Sequence, residues 1–229
     1  MGLTHTAYTG ISIQVSLSGY SFKVHTPEET RCSEWMGAER LFTTPEFQHR
    51  YSQVDISLLT PKVALVPSAF WNPQNAREAL SEVVSLADED IVEWVELPSL
   101  ASVLVYSNSI GETLSRVLAQ TVLPESGTPV RVLPELYYLL QSLEGLSDYN
   151  KIVASWKDGW LHLVIAQGKS LMLANVYEAP DFTTAEYFLF LALKRLQLNP
   201  EVSTVCLRTP LDPDAEMSLY RYFKSVVQL

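Results

Sequence analysis

The stretch KIVASWKDGWLHLVIAQGKSLMLANVYEA, residues 151–179, decides the fold of this chain. It contains three runs of β-branched, aromatic and leucine residues, which favour strands. Two short turns separate the runs, Lys157-Asp158-Gly159 and Gln167-Gly168-Lys169. Asp and Gly tolerate the positive φ that tight hairpins need. The stretch therefore predicts a three-stranded antiparallel meander.

A helix and a fourth strand are predicted directly after the meander. Thr183 and Glu186 have the spacing of a capping box, and Phe182 and Tyr187 are placed for a hydrophobic staple across it. The helix should run to about Leu198, because an Asn-Pro pair follows. Its middle is apolar almost all round, so we expect it to be buried on more than one side, between a sheet and a second body.

Composition limits the classes of function. The chain has 229 residues and a net charge of −10, with a pI of about 4.8 and no cluster of Lys and Arg. Nucleic-acid binding needs a basic face, so we do not expect it. The first ten residues lack the pattern of a secretory signal and no membrane span is visible, so a cytoplasmic protein is predicted. Of the two cysteines, Cys206 is expected to be a small core residue within a strand.

The first half of the chain opens with a second hairpin, over 11–25, that turns at Ser18-Gly19. An edge strand is expected around 40–42. Thr44 and a Pro at the first helical position predict a helix from Pro45 to about Leu59.

Further elements are predicted along the rest of the chain. Asp88-Glu89-Asp90 is interpreted as a solvated loop, and Ser107-Asn108-Ser109 as a helix cap at the end of a strand. The two halves, each a hairpin followed by helix, strand and helix, suggest an internal repeat. The remaining predicted elements are strands at 63–66, 92–97, 102–106 and 130–133, and helices at about 74–86, 110–120, 134–143 and 212–225.

A polar, glycine-containing stretch at 145–150 is the predicted domain boundary. The first domain is expected to span 1–147, with a helix–strand insertion near 68–98. The second and smaller domain is expected to span 148–229.

Several stretches carry a resemblance to a known fold. With the order of the elements, they resemble the actin-like ATPase fold, an α/β fold of two linked ribonuclease-H-like domains with mixed sheets. The chain is similar to the secretion and pilus-assembly branch of that fold. It is more specifically similar to an uncharacterised bacterial family of unknown function, through VALVPSAF, the meander and LKRLQLNPE. The stretches are ISIQVSLSGYSFKV (11–24), KVALVPSAFW (62–71), ASVLVYSNSIGETLSRVLAQ (101–120), TPVRVLPELYYLLQSL (128–143) and KIVASWKDGWLHLVIAQGK (151–169).

The resemblance implies two phosphate loops. Active members carry an Asp after each domain's first strand, to position Mg²⁺ or the attacking water, and a Gly-rich turn whose N–H groups hold phosphates. The first turn here has no carboxylate. In the second, Ser155 stands where the Asp should be, Asp158 comes three residues late, and Trp156 and Trp160 would crowd a phosphate. The positions that match the two loops are Ser16, Ser18 and Gly19, and Ser155, Asp158 and Gly159.

We therefore expect no ATP hydrolysis, no catalytic residue, no cofactor and no metal ligand. For Asp158-Gly159 an ordinary hairpin turn is the favoured interpretation. The predicted function is that of a non-catalytic protein of actin-like fold that acts through protein–protein contacts, with an unknown protein partner or by self-association. The alternative is a nucleotide-binding or phosphotransfer protein with an atypical ATP site. A secreted adhesin or envelope protein is disfavoured because no signal is visible.

Other motifs add little. The four histidines lack metal-ligand spacing, and His162 is expected to be half-exposed, facing away from Leu161 and Leu163 on its strand. Tyr137-Tyr138 and the pair Trp156 and Trp160 are either core residues or an exposed patch for a partner.

Overall fold

The computed structural model describes residues 10–109, 112–128 and 130–229. The chain forms two compact units. The first unit comprises Met1–Thr60, Leu86–Glu93 and Ser107–Pro134, and the second comprises Pro61–Ser85, Trp94–Tyr106 and Glu135–Leu229. The predicted start of a helix at Ile110 lies outside the described residues.

Strands dominate the described residues. In chain order they are β1 Gly10–Val15, β2 Tyr20–His25, β3 Thr30–Cys32, β4 Gln53–Leu58, β5 Val63–Pro67, β6 Val92–Leu97, β7 Ser102–Ser107, β8 Val132–Pro134, β9 Asn150–Lys157, β10 Trp160–Gln167, β11 Ser170–Glu178, β12 Thr204–Leu207 and β13 Ser225–Gln228. The α-helices are α1 Ala76–Ser81, α2 Glu112–Thr121, α3 Glu135–Ser142, α4 Phe182–Arg195 and α5 Pro213–Tyr220. Short 3₁₀ helices occupy Ala38–Thr43, Pro45–Gln48, Ser68–Phe70, Pro73–Asn75, Pro98–Leu100, Leu143–Gly145 and Pro200–Val202.

The first unit is built on a five-stranded sheet of order β3-β2-β1-β4-β8. β1, β2 and β3 are antiparallel neighbours, whereas β4 lies parallel to β1 and β8 parallel to β4. Alternate residues of β1 and β2 point into one core, which is covered by Leu118 of α2 and by Val122, the residue after that helix. The predicted opening hairpin is therefore present.

The second unit repeats this topology in a sheet of order β11-β10-β9-β12-β13. β9, β10 and β11 form the predicted antiparallel meander, and β12 and β13 continue it in parallel. One face of this sheet packs against α4 and α5. The other face packs against α3, so the sheet is covered on both sides.

A three-stranded sheet of order β5-β7-β6 lies in the segment between β4 and α2. β5 and β7 pair antiparallel, from Val63 opposite Tyr106 to Pro67 opposite Ser102. Its Leu97 and Leu104 share a core with α3 and the second five-stranded sheet.

The prediction of a helix from Pro45 to about Leu59 is wrong. Only Pro45–Gln48 is helical, as one 3₁₀ turn, and Gln53–Leu58 is β4. The proline and its Thr cap start a turn as predicted, but the apolar residues at 54, 56 and 58 then alternate with polar ones. That period of two fits a strand paired with β1, not a helix.

The edge strand predicted around 40–42 is also wrong, because Ala38–Thr43 is a 3₁₀ helix that buries Leu41. The edge strand next to β2 is instead β3.

The start of α4 differs from the prediction. Asp181 is the N-cap, and its Oδ1 accepts the backbone N–H of Thr184 at 2.8 Å. This hydrogen bond lowers the pKa of the Asp181 carboxyl. The staple is absent from the described contacts, since Tyr187 is 60% exposed and Phe182 packs on Trp156. Asp is at least as good an N-cap as Thr, and Asp181 stands two residues before Thr183.

Three helices are shorter than predicted. The helix expected over 74–86 is α1, Ala76–Ser81, after a 3₁₀ turn. α4 ends at Arg195 rather than Leu198, because Gln197 adopts φ 56°. The C-terminal helix expected to reach residue 225 ends at Tyr220, since the β-branched residues that follow pair with β12 as β13.

Candidate functional site

The loop after β1 is closed by its own serines. The backbone N–H of Ser18 donates to Ser16 Oγ at 3.1 Å, and the two hydroxyl oxygens are 3.3 Å apart. The backbone N–H of Ser16 donates to Gly19 O at 2.9 Å. Ser16 is buried, and between the serines Leu17 is 73% exposed. The loop therefore bonds to itself at Ser16 and Ser18, two positions for which the resemblance predicts a phosphate loop.

Residues 35 and 36 cover the same loop. Trp35 Nε1 donates to Ser18 Oγ at 3.0 Å, and Met36 exchanges two backbone hydrogen bonds of 2.8 Å with Tyr20. Gly19 has φ 155°, and a Cβ there would lie 2.1 Å from Met36 O. Only glycine fits this approach of two backbones.

Tyr20 fixes the far side of the loop. Its side chain is fully buried and its hydroxyl lies 2.8 Å from Thr44 Oγ1. Burial raises the pKa of the Tyr20 phenol. The phenol therefore stays neutral and supports the loop as a hydrogen-bonded core residue.

The matching segment of the second unit has another construction. Asp158 and Gly159, at φ 52° and 78°, are the two central residues of a tight turn between β9 and β10. Gly159 O accepts the backbone N–H of Ala179 at 2.7 Å. Two positive φ values suit the strand twist of a two-residue hairpin. Of the two readings of Asp158-Gly159, the geometry is that of a hairpin turn.

Ser155 is not part of that turn. It lies within β9, fully buried, directly opposite His162 of β10. Its Oγ is 2.6 Å from Thr209 Oγ1, two residues beyond the end of β12. His162 is also fully buried, so the prediction of a half-exposed residue is wrong. It faces away from Leu161 and Leu163 as expected, but α3 covers that face of the sheet.

Strand register makes Ser16 and Ser155 equivalent. Val15 is the last residue of β1 paired with β4, and Ala154 is the last residue of β9 paired with β12. The next backbone hydrogen bond is repeated: Leu59 N–H donates to Val15 O at 2.8 Å, and Arg208 N–H donates to Ala154 O at 2.9 Å. Each serine directly follows this point, and a buried threonine, Thr60 or Thr209, follows the neighbouring strand in each unit.

A buried ion pair lies beside the second serine. Arg208 Nη1 lies 2.5 Å from Glu135 Oε2 at the start of α3, and the Glu135 side chain is 0% exposed. The Arg208 guanidinium also lies 4.6 Å from the centre of the Tyr138 ring. Arg208 therefore ties the end of β12 to α3, by charge and by a cation–π contact. In the first unit the equivalent residue is a buried leucine, Leu59.

The acidic run of the first unit is not wholly solvated. Asp90 is 6% exposed: its Oδ1 accepts from Ser107 Oγ at 2.8 Å and its Oδ2 from the Ala87 backbone N–H at 2.7 Å. Ser109 Oγ accepts the backbone N–H of Ile91 at 2.6 Å. The polar cluster at 107–109 thus binds the loop before β6, and the solvated-loop prediction is wrong for Asp90.

The aromatic pairs of the second unit serve packing in part. Trp156 Nε1 donates to Ala179 O at 2.8 Å, and its ring packs on Phe182. Tyr137 packs edge-on against Tyr138, which supports Arg208. Cys206 is buried within β12 as predicted, and burial raises the pKa of its thiol.

Sequence reasoning missed Thr60, Thr209 and Glu135. A buried Thr or Glu carries no local signal, although each follows the end of a strand, where α/β proteins place polar groups. Within the described ranges, no three His, Cys, Asp or Glu side chains are grouped to hold a metal ion. Over the same residues, no helix has both the length and the apolar character to cross a bilayer.

The two sheets of equal topology, each with antiparallel strands followed by parallel ones, define an actin-like ATPase fold, as the sequence predicted. A protein of unknown function from Bacteroides thetaiotaomicron VPI-5482, described with that fold, superposes with a TM-score of 0.68 at 16% identity, over 100% of this chain and 93% of the other. The PilM–PilN type IV pilus biogenesis complex contains a chain that superposes with a TM-score of 0.53 at 14% identity, over 97% and 88%.

The chain belongs to the family described as "Protein of unknown function (DUF3822)", whose model matches residues 1–226. This confirms the predicted resemblance to a family of unknown function with an actin-like fold. A comparison with curated protein sequences gives no match.

Proposed function

We propose that this chain is a non-catalytic protein of actin-like fold that acts through protein–protein contacts. The single observation that carries the proposal is that the serine hydroxyls at the predicted phosphate-loop positions are hydrogen-bonded within the protein. Ser16 and Ser18 bond within their own loop and to Trp35, and Ser155 lies within a strand, bonded to Thr209. A nucleotide would have to displace these bonds before its phosphates could meet a backbone N–H.

The missing carboxylates support the same proposal. Phosphoryl transfer depends on positioning and on metal-assisted charge stabilisation, for which active members use an Asp after each first strand. Here both equivalent positions are buried serines, and a serine neither carries a charge nor binds Mg²⁺ as strongly as a carboxylate. Asp158 is committed to a hairpin turn at φ 52°.

Protein contacts are supported by exposed aromatic surface. Phe70, in the 3₁₀ turn that follows β5, is 83% exposed. Trp71 is the next residue, and its ring lies 5.7 Å from that of Trp94 in β6. Aromatic side chains are enriched at the centres of protein interfaces. The pilus-assembly protein of similar fold is itself known in a complex with a protein, PilN.

Size-exclusion chromatography with light scattering, on the full chain purified from its own cell, tests the proposal. We expect a mass above that of a 25.7 kDa monomer, from a second copy or a co-purifying protein. Phe70→Ser should reduce the complex, whereas Phe42→Ser, at a residue of the first unit that is 71% exposed, should not. A strict monomer without a co-purifying protein would contradict the proposal.

A further inference from the structure

A cavity of about 330 Å³ lies in the second unit, beside the turn between β10 and β11. This volume is within the range of small-molecule sites. Its floor is apolar and comes from α3, the second five-stranded sheet and the turn between β6 and β7. The floor residues are Leu100, Leu140, Leu143, Ala166 and Leu171.

Two lysines stand at the rim of this cavity. Lys151, at the start of β9, donates from Nζ to Leu143 O at 2.7 Å, so its ammonium group is held at the end of α3. Lys169, in the turn, is exposed, and across the described residues its side chain has no ion-pair partner. Glu144 is the acidic residue of the rim. The cavity therefore carries a local excess of positive charge in a chain of net charge −10.

The backbone beside the cavity has a turn with a positive φ and a β-bulge. Gly168 has φ 57°, and its N–H donates to Tyr149 O at 2.8 Å, which fixes the turn that carries Lys169. Next to the turn, Ile165 pairs with Leu173 and Ala166 with Leu171, so β11 has one extra residue. Such bulges redirect side chains and are frequent beside functional sites. Here Leu171 lines the cavity.

We propose that this cavity binds a small apolar carboxylate, of the class of medium-chain fatty acids. The leucine floor suits an aliphatic chain, because burial of each methylene is favourable. The exposed ammonium group of Lys169 suits a carboxylate at the rim, and Lys151 is the second lysine of the lining. Among the described residues that line the cavity there is no arginine and a single glycine, whereas arginine forks and glycine-rich nests are the devices that select phosphates.

The proposed ligand would touch two parts of the second unit. Leu100 belongs to the 3₁₀ turn Pro98–Leu100 of the three-stranded sheet, and Leu171 belongs to β11. Binding should therefore slow amide hydrogen exchange in both segments, 98–101 and 166–171, while leaving the loop after β1 unchanged. This site is separate from the phosphate-loop positions and does not depend on the function proposed above.

Isothermal titration of sodium decanoate into the full chain, below the concentration at which decanoate forms micelles, tests the proposal. We expect saturable binding, and a Kd raised at least tenfold by Lys169→Glu. Lys157→Glu, in the other turn of the meander, is the matched control and should leave the Kd unchanged. The neutral 1-decanol should bind at least tenfold more weakly than decanoate. Lys169 is exposed, so its variant should fold with the wild-type unfolding temperature.

Three results would overturn the proposal. The first is the absence of decanoate binding to the wild-type chain. The second is an equal loss of affinity in the two lysine variants, or none in either. The third is binding without slower hydrogen exchange at 166–171, which would place the decanoate elsewhere.

Discussion

In the first sheet the chain leaves β1 directly after Val15, whereas in the second sheet β9 continues for three residues beyond Ala154. The first exit is a four-residue loop covered by Trp35 and Met36, and the second is a two-residue hairpin. The two sheets thus share one topology but differ in the connection from the first strand to the second. In both, a buried serine directly follows the last residue that pairs with the parallel neighbouring strand.

The difference extends to the neighbouring strand. After β4 the first unit places a buried leucine, Leu59, where the second unit has Arg208 paired with Glu135. An apolar residue at this position needs no partner, whereas a buried charge does. The second unit therefore depends on a contact between β12 and α3 that the first unit lacks at the equivalent point.

Loss of that ion pair should give the largest effect. Glu135→Ala leaves Arg208 without its partner and should lower the free energy of unfolding of the second unit by about 3 kcal/mol, the lower end for buried pairs because Arg208 is partly exposed. Urea unfolding in a Trp35→Phe background measures this, because the remaining tryptophans, Trp71, Trp94, Trp156 and Trp160, belong to the second unit.

The double variant Glu135→Leu with Arg208→Leu is the control for this prediction. It places a leucine at position 208, where the first unit has Leu59, and removes both charges. The double variant should recover more than half of the stability that Glu135→Ala loses. Equal destabilisation of the single and double variants would show that the charge pair is not the cause.

The two turn glycines should differ in the cost of a methyl group. Gly19→Ala places a Cβ 2.1 Å from Met36 O and should cost about 2 kcal/mol, because the loop must move. Gly159→Ala meets nothing nearer than Pro180 Cα at 4.0 Å and should cost about 1 kcal/mol, from its positive φ alone. Thermal unfolding of both variants gives the order. The reverse order would contradict the close approach of Gly19 to residue 36.

The equivalent serines should show a smaller difference. Ser155→Ala removes a buried hydrogen bond to Thr209 and should cost about 1 kcal/mol. Ser16→Ala should cost about 0.5 kcal/mol, because water can replace the hydroxyl at the exposed Ser18 N–H. Denaturant titration of the two variants makes the comparison. A larger loss for Ser16 would mean that the first loop depends more on its serine than the second sheet does.

The two cysteines, one in each unit, should differ in their reactivity towards thiol reagents, and this test needs no substitution. Cys32 is exposed on edge strand β3, and Cys206 is buried in β12, where burial raises its thiol pKa. A thiol reagent should label Cys32 in the native protein at pH 8 and Cys206 only after unfolding. The thiolate is the reactive form, and burial keeps the Cys206 thiol protonated and out of reach of the reagent. Mass spectrometry of the labelled peptides identifies each. Rapid labelling of Cys206 would contradict the packing of the second sheet.

Local patterns explain what the sequence could predict. The meander and its turns at 158–159 and 168 follow from glycine, Asp and alternating apolar residues, and all are present. The prediction failed at β4, where a strong Thr-Pro-Glu start signal covers only one 3₁₀ turn before a strand begins. Propensity at a start signal does not determine how far a helix extends, since pairing with β1 competes with it.

The candidate site could be predicted only in part. The assignment of Ser16 and Ser155 to phosphate loops stays a prediction; Ser16 directly follows β1, whereas Ser155 lies within β9. The long-range contacts beside Ser155 were not predicted, since Thr209 lies 54 residues from Ser155 and Glu135 lies 73 residues from Arg208. Such contacts depend on strand register and helix docking, and one sequence carries no local signal for either. The prediction for Asp90 failed for the same reason, since its partner Ser107 lies 17 residues away, at the end of β7.

Binding of ATP with Mg²⁺ is the most direct test of the account, measured as the shift in unfolding temperature of the full chain at millimolar nucleotide. We predict no shift, because the serine hydroxyls at both loop positions are bonded within the protein. A ligand present at 100 times its Kd would add about 2.7 kcal/mol to the stability of the folded state. A saturable rise in unfolding temperature that requires both ATP and Mg²⁺ would contradict the central claim.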